Sequence, residues 1–128
     1  MSKMVYDTRF FIEHYYSGDK KVLQRTKEEI RKPRGKFISA IVVHEVFWLT
    51  LRCEGRETAI VRTDLLEKDF KVIDVDSQIA KESAELRSKY KMSMADSIIA
   101  ATALSLKAQC LSDDPHIRIV KELSTKWL

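Results

Sequence analysis

The sequence contains few of the residues that interrupt regular structure. Only three glycines and two prolines occur in 128 residues, which argues against long disordered linkers and favours a compact fold.

No apolar run approaches the roughly 20 residues that span a membrane, so no membrane partner is expected. Residues 1–4 lead directly into an apolar segment and lack a secretory signal, so the cytoplasm is the expected location. The length suits one domain, residues 1–128, and is too short for two ordinary ones.

Cysteine is also scarce. The two cysteines, Cys53 and Cys110, match no metal-binding spacing. In a reducing cytoplasm we expect two buried thiols, although the sequence leaves a disulfide between them open.

Positive charge is concentrated in one segment. The net charge is +4, yet residues 18–36 hold eight bases and three acids and therefore carry +5 by themselves. Such a segment is either a solvated helix face or a contact surface for the phosphates of a nucleic-acid backbone. The candidates for contact with an RNA backbone are Arg9, Lys20, Lys21, Arg25, Lys32 and Arg34.

Short apolar segments alternate with longer helical patterns along the chain. Strands are predicted at residues 3–7, 36–39, 70–75, 108–112 and 125–128. One helix is predicted to follow Thr8 and to reach about residue 16. Further helices are predicted at residues 20–31, 41–53, 57–68, 77–90, 94–107 and 115–123. This alternation predicts an α/β fold in which a parallel sheet of four to five short strands is covered by helices on both faces.

Acidic residues stand where strands are predicted to end or helices to begin. Asp7 closes the first strand, Asp113 and Asp114 follow the fourth, and Asp96 and Glu45 lie early in two helices. The carboxyl ends of parallel strands form the ligand crevice of an open sheet, so we expect these acids to converge there. Clustered carboxylates repel one another unless a cation lies between them, which points to Mg²⁺ or Mn²⁺ and to phosphate chemistry.

Most of these acids also have a purely structural interpretation. Asp7 can simply end a strand while Thr8 caps the next helix. Ser93 and Asp96 have the spacing of a capping box, in which the acid reaches back to the amide of the cap residue. Residues 113–115, Asp-Asp-Pro, suit a turn. Both interpretations stay open at this point.

Taken together, the segments resemble a known family. The runs Val5-Tyr6-Asp7-Thr8, Ser39 to Glu45, Asp96 to Ala103 and Leu111 to Ile117 are similar in order and spacing to those of PIN domains, and more narrowly to VapC-type toxins. The similarity covers essentially the whole chain. It implies a three-layer α/β/α PIN-like fold. It also implies a metal-dependent endoribonuclease, the toxin of a toxin–antitoxin pair, that uses Mg²⁺ or Mn²⁺ and a metal-activated water to hydrolyse RNA phosphodiesters.

The resemblance also implies roles for individual residues. The acids that would bind the metal and support catalysis are Asp7, Asp96, Glu45 and Asp114, with Asp113 as the alternative to Asp114. The hydroxyls that would orient a carboxylate or a water are Thr8 and Ser112. Ser112 replaces the threonine that is commoner at this position of the family, and Ile117 replaces the commoner aromatic residue.

Protein partners and two alternative functions are also expected or left open. The resemblance implies a VapB-like antitoxin protein and an assembly that is a homodimer or higher. A non-catalytic PIN-like module that binds RNA or protein stays open as an alternative. A phosphatase with Asp7 as its nucleophile is a further alternative, but Arg9 stands where such enzymes usually have a second aspartate.

Overall fold

The computed structural model describes residues 2–128. Its elements are, in chain order, β1 (Lys3–Tyr6), α1 (Thr8–Tyr16), α2 (Lys20–Arg31), β2 (Gly35–Ser39), α3 (Ala40–Glu54), α4 (Arg56–Asp69), β3 (Lys71–Ile73), α5 (Ser77–Tyr90), α6 (Met94–Leu106), β4 (Gln109–Leu111), α7 (Pro115–Arg118) and β5 (Thr125–Lys126). The strands form one parallel sheet in the order β3-β2-β1-β4-β5, flanked by helices. The predicted α/β fold with a central parallel sheet is therefore confirmed.

Strand β1 lies at the centre of the sheet because its side chains are apolar on both faces. Met4, Val5 and Tyr6 are at most 1% exposed, as expected for a parallel strand with helices on both sides. Helix α6 covers part of the sheet with an unbroken buried run from Ser97 to Ala103. Small residues in this run allow the helix to approach the strands closely.

The order of the strands brings distant segments together at the carboxyl edge of the sheet. Tyr6 at the end of β1 is paired with Leu111 at the end of β4. The amide of Asp7 continues this pairing by donating to the carbonyl of Leu111 at 3.2 Å. Asp7 and Ser112 therefore leave the sheet side by side, although 105 positions separate them in the sequence.

Several bounds differ from the sequence-based expectations. The third strand was expected over residues 70–75 but comprises only Lys71–Ile73, because pairing with β2 stops at Ser39. The last helix was expected to reach residue 123 but ends at Arg118. The expected edge strand near the carboxyl end is present as β5.

The cysteine prediction is half correct. Both thiols are free, and Cys110 is buried in β4 as expected. Cys53 is exposed, because it lies in the last turn of α3 on a side that no described element covers. Within residues 2–128, every helix is too short or too polar to span a lipid bilayer.

Candidate active site

Asp7 is the most deeply buried acid of the candidate site. It follows β1 directly and is 2% exposed. Its backbone occupies the N-cap position of α1, but its side chain makes no capping hydrogen bond. Instead, Ser112 Oγ donates to Asp7 Oδ2 at 2.5 Å. The fold thus holds the Asp7 carboxylate toward the end of β4 rather than toward its own helix.

Thr8 connects a second acid to this position. Its hydroxyl donates to Glu45 Oε1 at 2.5 Å, across 37 positions of sequence. The expectation that Thr8 caps α1 is wrong, because Thr8 is already the first helical residue and its hydroxyl faces α3. Glu45 lies in the second turn of α3, a helix that begins immediately after β2. It is half-buried and reaches the site through this contact.

Asp96 enters the site from α6. It is half-buried and lies in the first turn of that helix, where Ser93 Oγ accepts its backbone N–H at 3.2 Å. Within residues 2–128, no hydrogen bond returns from the Ser93 amide to the Asp96 carboxylate. The capping box suggested by the spacing is therefore only half formed.

The electrostatics show that three of these acids lie close together. The pKa of Asp7 is raised to about 7, mainly by burial; the hydrogen bond from Ser112 opposes the shift, and the charges of Asp96 and Asp114 contribute to it. The pKa of Asp96 is raised by burial and then by the charge of Asp114. A carboxylate that repels two neighbours at the bottom of a crevice is stabilised by any cation that enters.

The two acids of the loop after β4 differ in their contacts. Asp114 caps α7, accepting the amide of His116 at 2.9 Å, and its own amide donates to Ser112 Oγ at 3.0 Å. Asp113 instead binds the guanidinium of Arg9, which donates from Nε to Oδ1 and from Nη2 to Oδ2 at 3.3 Å. Of the two, Asp114 is the one whose charge raises the pKa values of Asp7 and Asp96.

The donor set suits a hard divalent cation in its chemistry, but it is not closed around one. Carboxylates and hydroxyls are the ligands that Mg²⁺ and Mn²⁺ prefer. Within residues 2–128, however, no group of three or more acidic, histidine or cysteine side chains is arranged so that it could hold a metal ion. Glu45 is engaged by Thr8, Asp7 by Ser112 and Asp114 by the His116 amide. Each of these bonds engages one carboxylate oxygen, so binding a cation would require the acids to move closer together, and does not require them to give up these partners.

The basic candidates separate into two groups on α2 and the segment that follows. Lys20, Lys21 and Arg25 are exposed and line one open groove with other residues of α2. Lys32 and Arg34 do not belong to this surface, because both pair with the buried Glu29, at 3.1 and 3.6 Å. These ion pairs give Lys32 and Arg34 a structural role, and their contact with an RNA backbone stays a prediction.

Sequence reasoning missed two features near the site. Arg118 of α7 points its Nη1 at the carbonyl of Ser112, at 3.5 Å. A small cleft beside Asp113 is lined by Arg25 and by Trp127 near the carboxyl terminus. The position of Arg118 one turn after the acidic loop is a signal that could have identified it. No local pattern links Trp127 to residues so far away in the sequence.

Comparisons with known proteins agree with this architecture. The family model of the PIN domain matches residues 4–123. A toxin–antitoxin complex from Klebsiella pneumoniae contains a chain with a TM-score of 0.75 and 24% identity, over 96% of this chain and 97% of that one. A DNA-bound VapBC from Salmonella typhimurium gives a TM-score of 0.79 and 16% identity, over 99% and 98%.

A third solved structure also shares the fold. VapC20 from Mycobacterium tuberculosis, described as a sarcin–ricin loop cleaving toxin, gives a TM-score of 0.77 and 18% identity, over 93% of this chain and 95% of that one. At these identities the structures show a shared fold. The search of curated proteins finds no match. Because the family model spans nearly all of the sequence, the chain is a member of the PIN-domain family.

Proposed function

We propose that this PIN-domain protein is a Mg²⁺- or Mn²⁺-dependent endoribonuclease and the cytoplasmic toxin of a toxin–antitoxin pair. The observation that carries the proposal is the buried Asp7 carboxylate, whose pKa is raised to about 7 at a sheet edge that it shares with Asp96 and Asp114. Such a site is costly to the fold unless it serves to hold a cation. The solved structures that resemble the chain include toxin–antitoxin complexes, which supports the second part of the proposal.

Four acids would hold the metal, namely Asp7, Asp96, Glu45 and Asp114. A bound divalent ion would supply an activated water and stabilise charge on the phosphodiester during displacement. Thr8 and Ser112 orient two of these carboxylates through short hydrogen bonds. Preset orientation of this kind commonly tunes metal affinity 10- to 100-fold. Arg9 and the exposed bases of α2 would bind the RNA backbone, since phosphate contacts require charge rather than base recognition.

An exposed apolar surface supports the protein partners of the proposal. Ile12 and Tyr16 of α1 and Trp48 and Leu51 of α3 are each about 40–50% exposed. These two helices pack against each other, so the four side chains lie on neighbouring elements. Large exposed apolar residues grouped in this way mark protein interfaces. We assign this surface to an antitoxin or to a second copy of the chain in a homodimer.

One observation favours the non-catalytic alternative. Among the described residues, the acids are not grouped closely enough to hold a metal ion. A binding module without catalytic activity would have the same arrangement. The two functions differ in a direct assay. We expect end-labelled RNA to be cut by the wild-type protein with Mn²⁺ or Mg²⁺ and to remain intact with a chelator.

Variants then identify the site. Asp7→Asn is expected to lower the cleavage rate at least about 100-fold, because loss of metal charge stabilisation costs several kcal/mol and each 1.4 kcal/mol is tenfold. Asp64→Asn, an exposed aspartate on α4, is the matched control and should cut at the wild-type rate. Cleavage that persists in Asp7→Asn or in chelator would refute the assignment. RNA binding without any cleavage would support the non-catalytic module.

A further inference from the structure

The ion pair between Arg9 and Asp113 lies at the rim of the acidic site. Arg9 follows Asp7 by two positions, in the first turn of α1, while Asp113 lies in the loop after β4. The guanidinium uses two nitrogens to bind both carboxylate oxygens. The side chains are 49% and 32% exposed, so a ligand approaching from solvent can reach the pair.

Asp113 differs from the other acids of the site in its partner. The main charges acting on Asp7 are those of Asp96 and Asp114, and the main acidic charge acting on Asp96 is that of Asp114. The side-chain partner of Asp113 within residues 2–128 is Arg9. Asp113 therefore acts as the counter-ion of an arginine, whereas Asp114 belongs to the acid cluster.

Arg9 is nevertheless close enough to act at the site. Its positive charge lowers the pKa of Asp96, and the charges of Asp114 and Asp7 contribute to raising its own pKa. A guanidinium whose charge reaches these acids is also within reach of a phosphate chain that approaches them. Its planar fork matches a phosphate as well as it matches a carboxylate.

We propose that Asp113 is a resting counter-ion that competes with the RNA phosphate for Arg9, and so limits the affinity of the site for RNA. The inference rests on the proposed function, since it concerns how the same site receives its substrate. An exposed ion pair is weak enough for two phosphate oxygens to displace the carboxylate, but breaking the pair uses up part of the binding free energy. Arg25 lines the cleft beside Asp113 and offers the displaced carboxylate another cation.

The test measures RNA binding separately from cleavage. A fluorescein-labelled RNA is titrated by anisotropy at about 0.1 M salt, with chelator, against wild type, Asp113→Asn, Arg9→Gln and the double variant. We expect Asp113→Asn to lower the Kd roughly 3- to 10-fold, because it frees the guanidinium. Arg9→Gln should raise the Kd by a similar factor. The double variant should match Arg9→Gln alone, since without Arg9 there is no competition to relieve.

Controls separate the competition from bulk charge and from folding. Asp64→Asn removes the same formal charge from an exposed position and should change the Kd less than about twofold. Melting curves of each variant report whether it is folded. The inference is overturned if Asp113→Asn leaves the Kd unchanged or raises it, or if its effect persists in the Arg9→Gln background. If the predicted pattern of Kd values appears while no variant cuts RNA with Mn²⁺, the catalytic function fails and the inference about Arg9 stands.

Discussion

At the scale of single residues, the fold disfavours the ionised form of Asp7. The side chain is 2% exposed and its carboxylate lies near two other acids, with a single serine hydroxyl as hydrogen-bond donor from a side chain. The hydrogen bond from Ser112 requires an acceptor at this position but not a negative charge. The retention of a charge that the fold disfavours is what a cation-binding role requires.

The raised pKa of Asp7 predicts how stability changes with pH when no metal is bound. An unfolded aspartate titrates near 3.9, whereas in the folded protein the pKa of Asp7 is about 7. The folded state therefore binds more protons between these values, so the free energy of unfolding should decrease as pH rises from about 4 to 7. The loss from this residue is on the order of 4 kcal/mol.

This dependence is checked by urea denaturation in chelator across that pH range. Asp7→Asn should be more stable than wild type at pH 8 and should lose the part of the slope that Asp7 contributes, while Asp64→Asn should follow wild type. Equal slopes in Asp7→Asn and wild type would show that Asp7 is not the titrating group.

Which acids converge could be predicted from the sequence, but which way each one points could not. Asp7 and Asp114 follow strands whose carboxyl ends meet in any parallel sheet with this strand order. The distinction between Asp113 and Asp114 depends on the partner that each side chain finds after folding, Arg9 in one case and the start of α7 in the other.

At the scale of elements, a buried ionic network ties α2 and the following segment to the central strand. Glu29 is 3% exposed and accepts a hydrogen bond from the Tyr6 hydroxyl at 3.0 Å. Lys32 and Arg34 neutralise it. Because Tyr6 immediately precedes Asp7, this network helps to fix the end of β1 from which Asp7 leaves the sheet.

Removing the centre of this network should destabilise the fold. Glu29→Ala leaves Tyr6 and Arg34 without their buried partner, and we expect a loss of about 3 kcal/mol in the free energy of unfolding. Glu28→Ala, one position earlier, loses only an exposed hydrogen bond with Gln24. It should lower the free energy of unfolding by about 0.5 kcal/mol at most. Chemical denaturation measures both. Equal effects from the two substitutions would show that the network contributes nothing particular.

Element bounds were predictable where periodicity is long and caps are clear. The bounds of α2 and α5 agree with the sequence pattern, while α1 begins one residue earlier than expected, at Thr8. Strand β3 is shorter than its apolar run because pairing with a neighbour, rather than composition, sets its length. The basic charge of α2 was evident, but its division into an exposed face and a group that neutralises Glu29 depends on packing against β1.

At the scale of the whole molecule, opposite charges adjoin at one edge of the sheet. The excess positive charge resides in residues 18–36, and the acids of the site come from four separate elements or loops. Arg25 on the exposed face of α2 shares a cleft with Asp113, so the basic surface begins beside the acidic crevice. This arrangement suits a phosphate chain that crosses from bases to a metal site.

The most direct test of the account is the melting temperature of the protein with and without Mn²⁺. Wild type should melt roughly 5–10 °C higher at a Mn²⁺ concentration 100 times the Kd, because binding to the native state alone is then worth about 2.7 kcal/mol. Asp96→Asn should lose this shift while remaining folded without metal. A wild-type melting temperature that Mn²⁺ leaves unchanged, or a full shift retained by Asp96→Asn, would contradict the claim that these acids hold a cation.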